Sequence, residues 1–175
     1  DVLVEEFVDG DEVSLFLLSD GHTVVPLAPA CDYKRLGTAN TGPNTGGMGS
    51  YSPVPWLPDG FVTEVVETIG TPIVRQLAHE QIPFIGLLYC GLIVTPHGIR
   101  VIEFNARFGD PEAVNVLALL KTPLADVFER MAIGRLRNFV VEWTGDATGV
   151  KYLVPNGYPI ELEPPAKIII DAKKL

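Results

Sequence analysis

The 175-residue sequence is poor in sulfur, in histidine and in positive charge. Its two cysteines, Cys31 and Cys90, form no CxxC pair and have no histidine cluster beside them. That argues against a disulfide framework or a zinc site, and the expected setting is a reducing cytosol. Thirteen Lys and Arg against 22 Asp and Glu leave a formal net charge of -9, the wrong sign for a nucleic-acid partner. A phosphorylated ligand would then need local basic residues, backbone N–H groups or a metal to offset the field. Long hydrophobic runs are missing too. The most apolar stretch, Ile82 to Pro96, is interrupted by Pro83, Gly86, Tyr89 and Gly91, short of the ~20 residues of a spanning helix. No signal peptide is visible, but the chain opens at Asp1 without a methionine, and the native start is expected upstream.

What is present is an ordinary globular balance, 47% hydrophobic and 20% charged, long enough for one domain and part of another. Val2 to Val8 predicts a strand closed by Asp9-Gly10. Glu12 to Leu18 and His22 to Ala28 predict a hairpin turning at Asp20-Gly21. Asp32 to Pro58, dense in Gly, Pro, Thr and Asn, reads as a long irregular segment of the kind that is usually functional or disordered. Phe61 to Ala78 has helical spacing that Gly70 and Pro72 kink or divide. Tyr89 to Thr95 and Ile99 to Phe104 predict a second strand pair, followed by helices over Glu112 to Leu120 and from Thr122-Pro123 to Gly134. Thr148 to Val154 reads as a strand in a further module. The expected class is α+β, a mostly antiparallel sheet with helices packed on one side, followed by part of a small β-rich domain.

Three blocks carry candidate chemistry. Glu103 and Asn105 stand two apart in a strand, so their side chains leave the same face. A carboxylate and a neutral carbonyl oxygen suit Mg²⁺ (or Mn²⁺), and Arg107 follows where it would neutralise a phosphoryl group. Alone, so short and common a pattern fits a half-buried strand with a solvent-facing glutamate better than it fits a metal site. The glycines of Gly46-Gly47-Met48-Gly49 allow backbone N–H groups to converge on an anion, with Lys34 and Arg35 nearby, or else form a mobile surface loop. Glu5-Glu6-Phe7-Val8 is a strand edge with Glu12 downstream; such an edge can pair with adenine, or be a solvated strand end.

Taken together, the blocks resemble those of the glycinamide ribonucleotide synthetases of the ATP-grasp superfamily. V-I-E-F-N-A-R-F-G-D-P-E at Val101 to Glu112 is similar to the run that closes the family's active site. So is Asp32-Tyr33-Lys34-Arg35 followed by T-G-P-N-T-G-G-M-G from Thr41 to Gly49. The resemblance implies ATP and Mg²⁺ (or Mn²⁺) as cofactors, with Glu103 and Asn105 on the metal and Arg107, Asp32 and Lys34 in catalysis. It implies ATP contacts from Glu5, Glu6, Phe7, Val8 and Glu12. Contacts to phosphoribosylamine and glycine would come from Arg35, Asn44, Thr45, Gly46, Gly47, Met48, Gly49, Asp110 and Pro111.

The reaction so implied joins glycine to 5-phosphoribosylamine through a glycyl phosphate, in the cytoplasm, with small-molecule partners and neither nucleic acid nor membrane. Residues 1–137 would be the C-terminal lobe of the ATP-grasp domain, without its upstream phosphate-gripping lobe, and 138–175 the start of the next domain. Two other readings stand beside this one. Another ATP-grasp ligase shares the metal strand and hinge, though not the T-G-P-N-T-G-G-M-G loop. A non-catalytic half-site is the second.

Overall fold

The ten residues of β1 (Asp11–Asp20) form the spine of the protein in a computed structural model that describes residues 2–161, 167 and 169. From Val13 onward every residue of β1 is buried, because both of its edges are paired and both of its faces are covered. β2 (Val24–Pro26) lies antiparallel on one edge and β5 (Ile85–Thr95) on the other. β6 (Gly98–Asn105) extends the sheet beyond β5, giving the order β2-β1-β5-β6. The expected turn at Asp20-Gly21 closes β1 onto β2. There the Asp20 carboxylate accepts the backbone N–H groups of His22 and Thr23 at 3.1 and 2.7 Å and of Leu136 at 3.0 Å. Burial by itself would raise the Asp20 carboxyl, but these backbone bonds outweigh it and hold the group below its ordinary range.

Alternate residues of a strand point to opposite faces, so a central sheet apolar on both faces needs two layers of cover. Phe16, Leu18, Leu87 and Tyr89 pack against Val116, Val127 and Leu136. Val13, Leu15, Leu17, Leu88, Cys90 and Leu92 pack on the other face against Phe61 and Val65. The antiparallel α+β class is the one expected, with one correction: the helices flank both faces of the sheet, not one. α1 (Phe61–Val65), a π-helical turn (Val66–Gly70) and α2 (Thr71–His79) lie on one side; α3 (Glu112–Leu119) and α4 (Leu124–Ala132) lie on the other. The helical run from Phe61 is divided as Gly70 and Pro72 foretold, since Pro72 has no N–H to return to the preceding turn. Cys90 is a core residue, its thiol pushed up to about 12 by burial.

The larger correction concerns Asp32 to Pro58, which is mostly a β-hairpin instead of an irregular segment. β3 (Cys31–Gly37) and β4 (Thr41–Ser52) pair antiparallel, and β7 (Thr148–Lys151) adds to the other edge of β4. Four glycines and Pro43 erase the strand propensity of β4. Its ladder with β3 slips between Tyr33 and Arg35 and again between Arg35 and Gly37. The turn at Thr38-Ala39-Asn40 puts Ala39 and Asn40 at φ 55° and 57°, a left-handed pair that usually announces itself with glycine.

Val2 to Val8, expected as a strand, is also corrected: it joins no sheet. Both edges of β1 are already occupied, and Val2, Leu3, Val4 and Phe7 stand exposed. At the other end, Val141 and Trp143 pack onto the first core cluster, and Trp143 bridges to Leu120. The strand expected over Thr148 to Val154 stops at Lys151, and Lys173-Lys174-Leu175 lie outside the described residues. No helix among the described residues is long and apolar enough to cross a membrane.

Candidate active site

Residues far apart in sequence meet around one small cleft of about 80 Å³. β3 contributes Asp32 and Lys34, β4 contributes Gly46, and β6 contributes Glu103 and Asn105. The loop after β6 adds Arg107, Gly109 and Asp110, and Tyr89 of β5 and Glu112 of α3 complete the lining. Lys34 and Arg107, 73 positions apart in sequence, are thus brought beside four carboxylates.

Glu103 and Asn105 lie together at the end of β6, as their strand spacing predicts. Glu103 and Asn105 share a face of β6, and Asn105 Nδ2 donates to Glu103 Oε1 at 3.0 Å. That bond turns the amide nitrogen toward the carboxylate, so Asn105 Oδ1 is aimed elsewhere and keeps its lone pairs. No group of three or more His, Cys, Asp or Glu side chains able to hold a metal occurs among the described residues. Two hard oxygen donors with the rest of the shell left open fit Mg²⁺ or Mn²⁺, which complete their coordination with phosphates and water.

Electrostatics distinguish the side chains of the hairpin. Asp32 is pushed up to about 6, first by burial and then by the charge of Glu112, with Lys34 pulling in the opposite direction. Burial tends to lower Lys34, but Asp32, Glu12 and Glu103 outweigh it and raise the ammonium pKa. Lys34 Nζ donates to Glu12 Oε2 at 3.2 Å. Lys34 is therefore a firmly charged cation at the cleft, and Asp32 a carboxyl poised close to neutral pH.

The remaining expected residues are distributed around this centre. Glu12, Arg35 and Asn44 line a neighbouring pocket of about 360 Å³ with Tyr51 and Trp56; Arg35 Nη1 donates to the Gly42 carbonyl at 2.9 Å. Thr45 Oγ1 donates to the Lys34 carbonyl at 2.8 Å and accepts the Gly47 N–H at 3.1 Å, which fixes the strand in place. Gly47 has φ 131°, and a Cβ there would stand 2.6 Å from Pro111 Cδ; only glycine lets the hairpin close on the Asp110-Pro111 loop. The Tyr152 hydroxyl donates to the Asp110 carboxylate. Met48 and Gly49 are not brought into the cleft. They border an apolar pocket of about 660 Å³ with Leu36 and Val150. Glu5, Glu6, Phe7 and Val8 lie farther along β6, around a pocket of about 160 Å³ with Ile93, Arg100, Val101 and Ile102.

Sequence reasoning missed Tyr89, Glu112 and Ser14. Glu112 is almost wholly buried, and its Oε1 accepts from Ser14 Oγ at 2.9 Å and Tyr89 Oη at 3.0 Å. Burial first, and the charges of Glu112 and Asp32 with it, raise the Tyr89 phenol well above its ordinary pKa against the Ser14 bond, so Tyr89 keeps its proton. A serine and a tyrosine inside otherwise apolar strands were the available signal.

Residues 1–113 match the family described as phosphoribosylglycinamide synthetase, ATP-grasp (A) domain. The chain belongs to the phosphoribosylglycinamide synthetase family. A phosphoribosylamine–glycine ligase of Leifsonia xyli subsp. xyli is 62% identical over 159 residues, covering 90% of this chain and 38% of the relative. One from Streptomyces coelicolor is 50% identical with the same coverage. Among solved structures, phosphoribosylamine–glycine ligase from Thermotoga maritima superposes with a TM-score of 0.79 at 31% identity, over 89% of this chain and 39% of that one. The urea amidolyase of K. lactis shares the fold at 17% identity and a TM-score of 0.57. This synthetase-family chain therefore spans about 38% of the length of the curated relatives it matches.

Proposed function

We propose that the complete protein is an ATP-dependent carbon–nitrogen ligase that joins glycine to 5-phosphoribosylamine, giving glycinamide ribonucleotide, ADP and phosphate in purine biosynthesis. The observation that carries this reading is the meeting of the Asp32-Lys34-Gly46 hairpin with Glu103, Asn105, Arg107 and Asp110 in one cleft. The identity of 62% to a phosphoribosylamine–glycine ligase supports it.

A glycine carboxylate oxygen attacks the γ-phosphorus of ATP, the bond to the β,γ-bridging oxygen breaks, and ADP leaves. The phosphoribosylamine nitrogen then attacks the acyl carbon and phosphate departs with the electron pair of the C–O bond. Glu103 and Asn105 would hold Mg²⁺ or Mn²⁺, which neutralises charge on the transferring phosphoryl group. Lys34 and Arg107 add fixed positive charge to the same group. Asp32 takes the proton that the attacking amine gives up, a role its raised pKa of about 6 supports. Glu5, Glu6, Phe7, Val8 and Glu12 serve ATP. Arg35, Asn44, Thr45, Gly46, Gly47, Met48, Gly49, Asp110 and Pro111 form the substrate side, some by contact and some by shaping the hairpin. The partners are small molecules and the setting is cytoplasmic.

In this reading residues 1–137 are the C-terminal lobe of the ATP-grasp domain and 138–175 the beginning of the next domain. The 175 residues alone are a half-site without turnover, in keeping with their 38% share of the relatives. The test is ADP release by the complete protein. It is expected only when glycine and phosphoribosylamine are both supplied; release supported equally by bicarbonate would replace this reading with another ATP-grasp ligase.

A further inference from the structure

We propose that Ser14, Tyr89 and Glu112 act as a positioning network that holds the loop 107–111 against the metal strand; the inference rests on the reading of the cleft given above. The three side chains come from β1, β5 and α3, and all are buried. Their oxygens form a closed triangle: Ser14 Oγ and Tyr89 Oη lie 2.9 and 3.0 Å from Glu112 Oε1 and 2.8 Å from each other, so two hydroxyl protons serve three edges and at least one is donated to the carboxylate. A buried carboxylate held this way has little freedom to move, because any displacement leaves polar groups without partners.

The triangle touches the site on two sides. Tyr89 is the cross-strand partner of Asn105, so its ring stands beside a residue of the metal strand. On the other side, Gly109 is clamped: a Cβ there would lie 2.7 Å from Glu112 Oε2 and 2.9 Å from Tyr89 Cε2. The first turn of α3 then grips the loop from behind, through Ala113 N–H to the Gly109 carbonyl at 3.0 Å and Val114 N–H to the Pro111 carbonyl at 3.1 Å. Phe108 adds an edge-on contact with Phe16, ring centroids 5.4 Å apart. Arg107 and Asp110 are carried by this loop, so their distance from Glu103 and Asn105 depends on the triangle behind it. Small errors in such placement are costly to catalysis.

Tyr89→Phe tests the network with little risk to folding, since the ring keeps its packing on Phe16 at 5.4 Å. In the complete ligase we expect kcat to fall roughly 10–100-fold, as for the loss of an outer-shell partner, with KM for ATP unchanged. Glu112→Gln should act alike, and the double variant should lose no more than the worse single one, because the residues work as a unit. In the 175-residue chain, hydrogen exchange of the Ala113 and Val114 amides should quicken about tenfold in either variant while β1 and β5 amides keep their protection. Unchanged kcat and unchanged exchange would overturn the proposal. So would loss of protection across β1 and β5 together with the loop, which marks a general stabilising role. If the unmodified ligase fails to couple glycine to phosphoribosylamine, the reading of the activity falls, and the exchange experiment still decides the network.

Discussion

The two ends of β6 differ in how much of a site this chain builds by itself. At Glu103 and Asn105 the strand faces a hairpin, a loop and a helix that are all present, and ten lining residues converge. Toward Arg100 to Ile102 the strand faces Glu5 to Val8, a segment that joins no sheet and whose Phe7 stands in solvent. The difference lies in what holds each end. The cleft is set by contacts within the chain: the Ser14-Tyr89-Glu112 triangle, Gly47 against Pro111, and Thr45 beneath Lys34. β1, the nearest strand in sequence, has both of its edges occupied, and the open outer edge of β6 takes no pair from this segment.

The sharpest way to break this contrast is at the metal strand. Glu103→Gln in the complete ligase keeps the size of the side chain and removes its charge; kcat should fall roughly 10²–10³-fold, and steady-state turnover at saturating Mg²⁺ measures it. A smaller loss would separate Glu103 from phosphoryl transfer. Next comes the hairpin closure. Gly47→Ala puts a Cβ against Pro111 at a φ of 131° and should destabilise the chain by about 2–3 kcal/mol in urea unfolding; an unchanged midpoint would mean that the hairpin does not close on the loop.

Asp32 gives a pH signature. Its folded pKa, about 6, lies above the ordinary value of 3.8, so between those limits the folded state binds more protons than the unfolded one. Stability attributable to this carboxyl is present at the acid end of that window and lost as pH rises through about 6. Asp32→Asn should abolish that slope and stabilise the chain at pH 7 by roughly 1–2 kcal/mol, a figure reduced for the group's partial solvent contact. Thermal unfolding at several pH values is the measurement, and an unaltered slope would assign it elsewhere. The smallest effect belongs to the other end of β6: Phe7→Ala should leave stability within about 0.5 kcal/mol, and a larger loss would show that the segment is packed after all.

The four-stranded sheet was readable because its signals are local and strong. β1 and β5 are apolar on both faces, Asp20-Gly21 marks the turn, and Gly70 with Pro72 marks the break in the helix. The pairing of Glu103 with Asn105 was readable for the same reason, as two oxygen-bearing side chains at strand spacing. The three-stranded sheet was not, because its cause is tertiary. β4 is a strand because β3 and β7 pair with it, despite a composition that predicts a loop, and two of its glycines, Gly47 and Gly49, are explained only by Pro111 and Val150 lying against them. Glu112 was hidden likewise: its importance comes from Ser14, 98 positions away. Helices on both faces could be seen only once β1 was known to be central.

In the proposed reading, this chain assembles the metal-binding half of an ATP site and leaves the adenine half unbuilt. Titration calorimetry of the 175-residue chain with Mg·ATP, run beside the complete ligase, tests it directly. The chain should bind with a Kd no tighter than about 1 mM while the complete ligase saturates well below that. Binding by the chain alone at about 1 μM would contradict the claim, because it would mean that Glu5 to Val8 and Glu12 hold the nucleotide without another lobe.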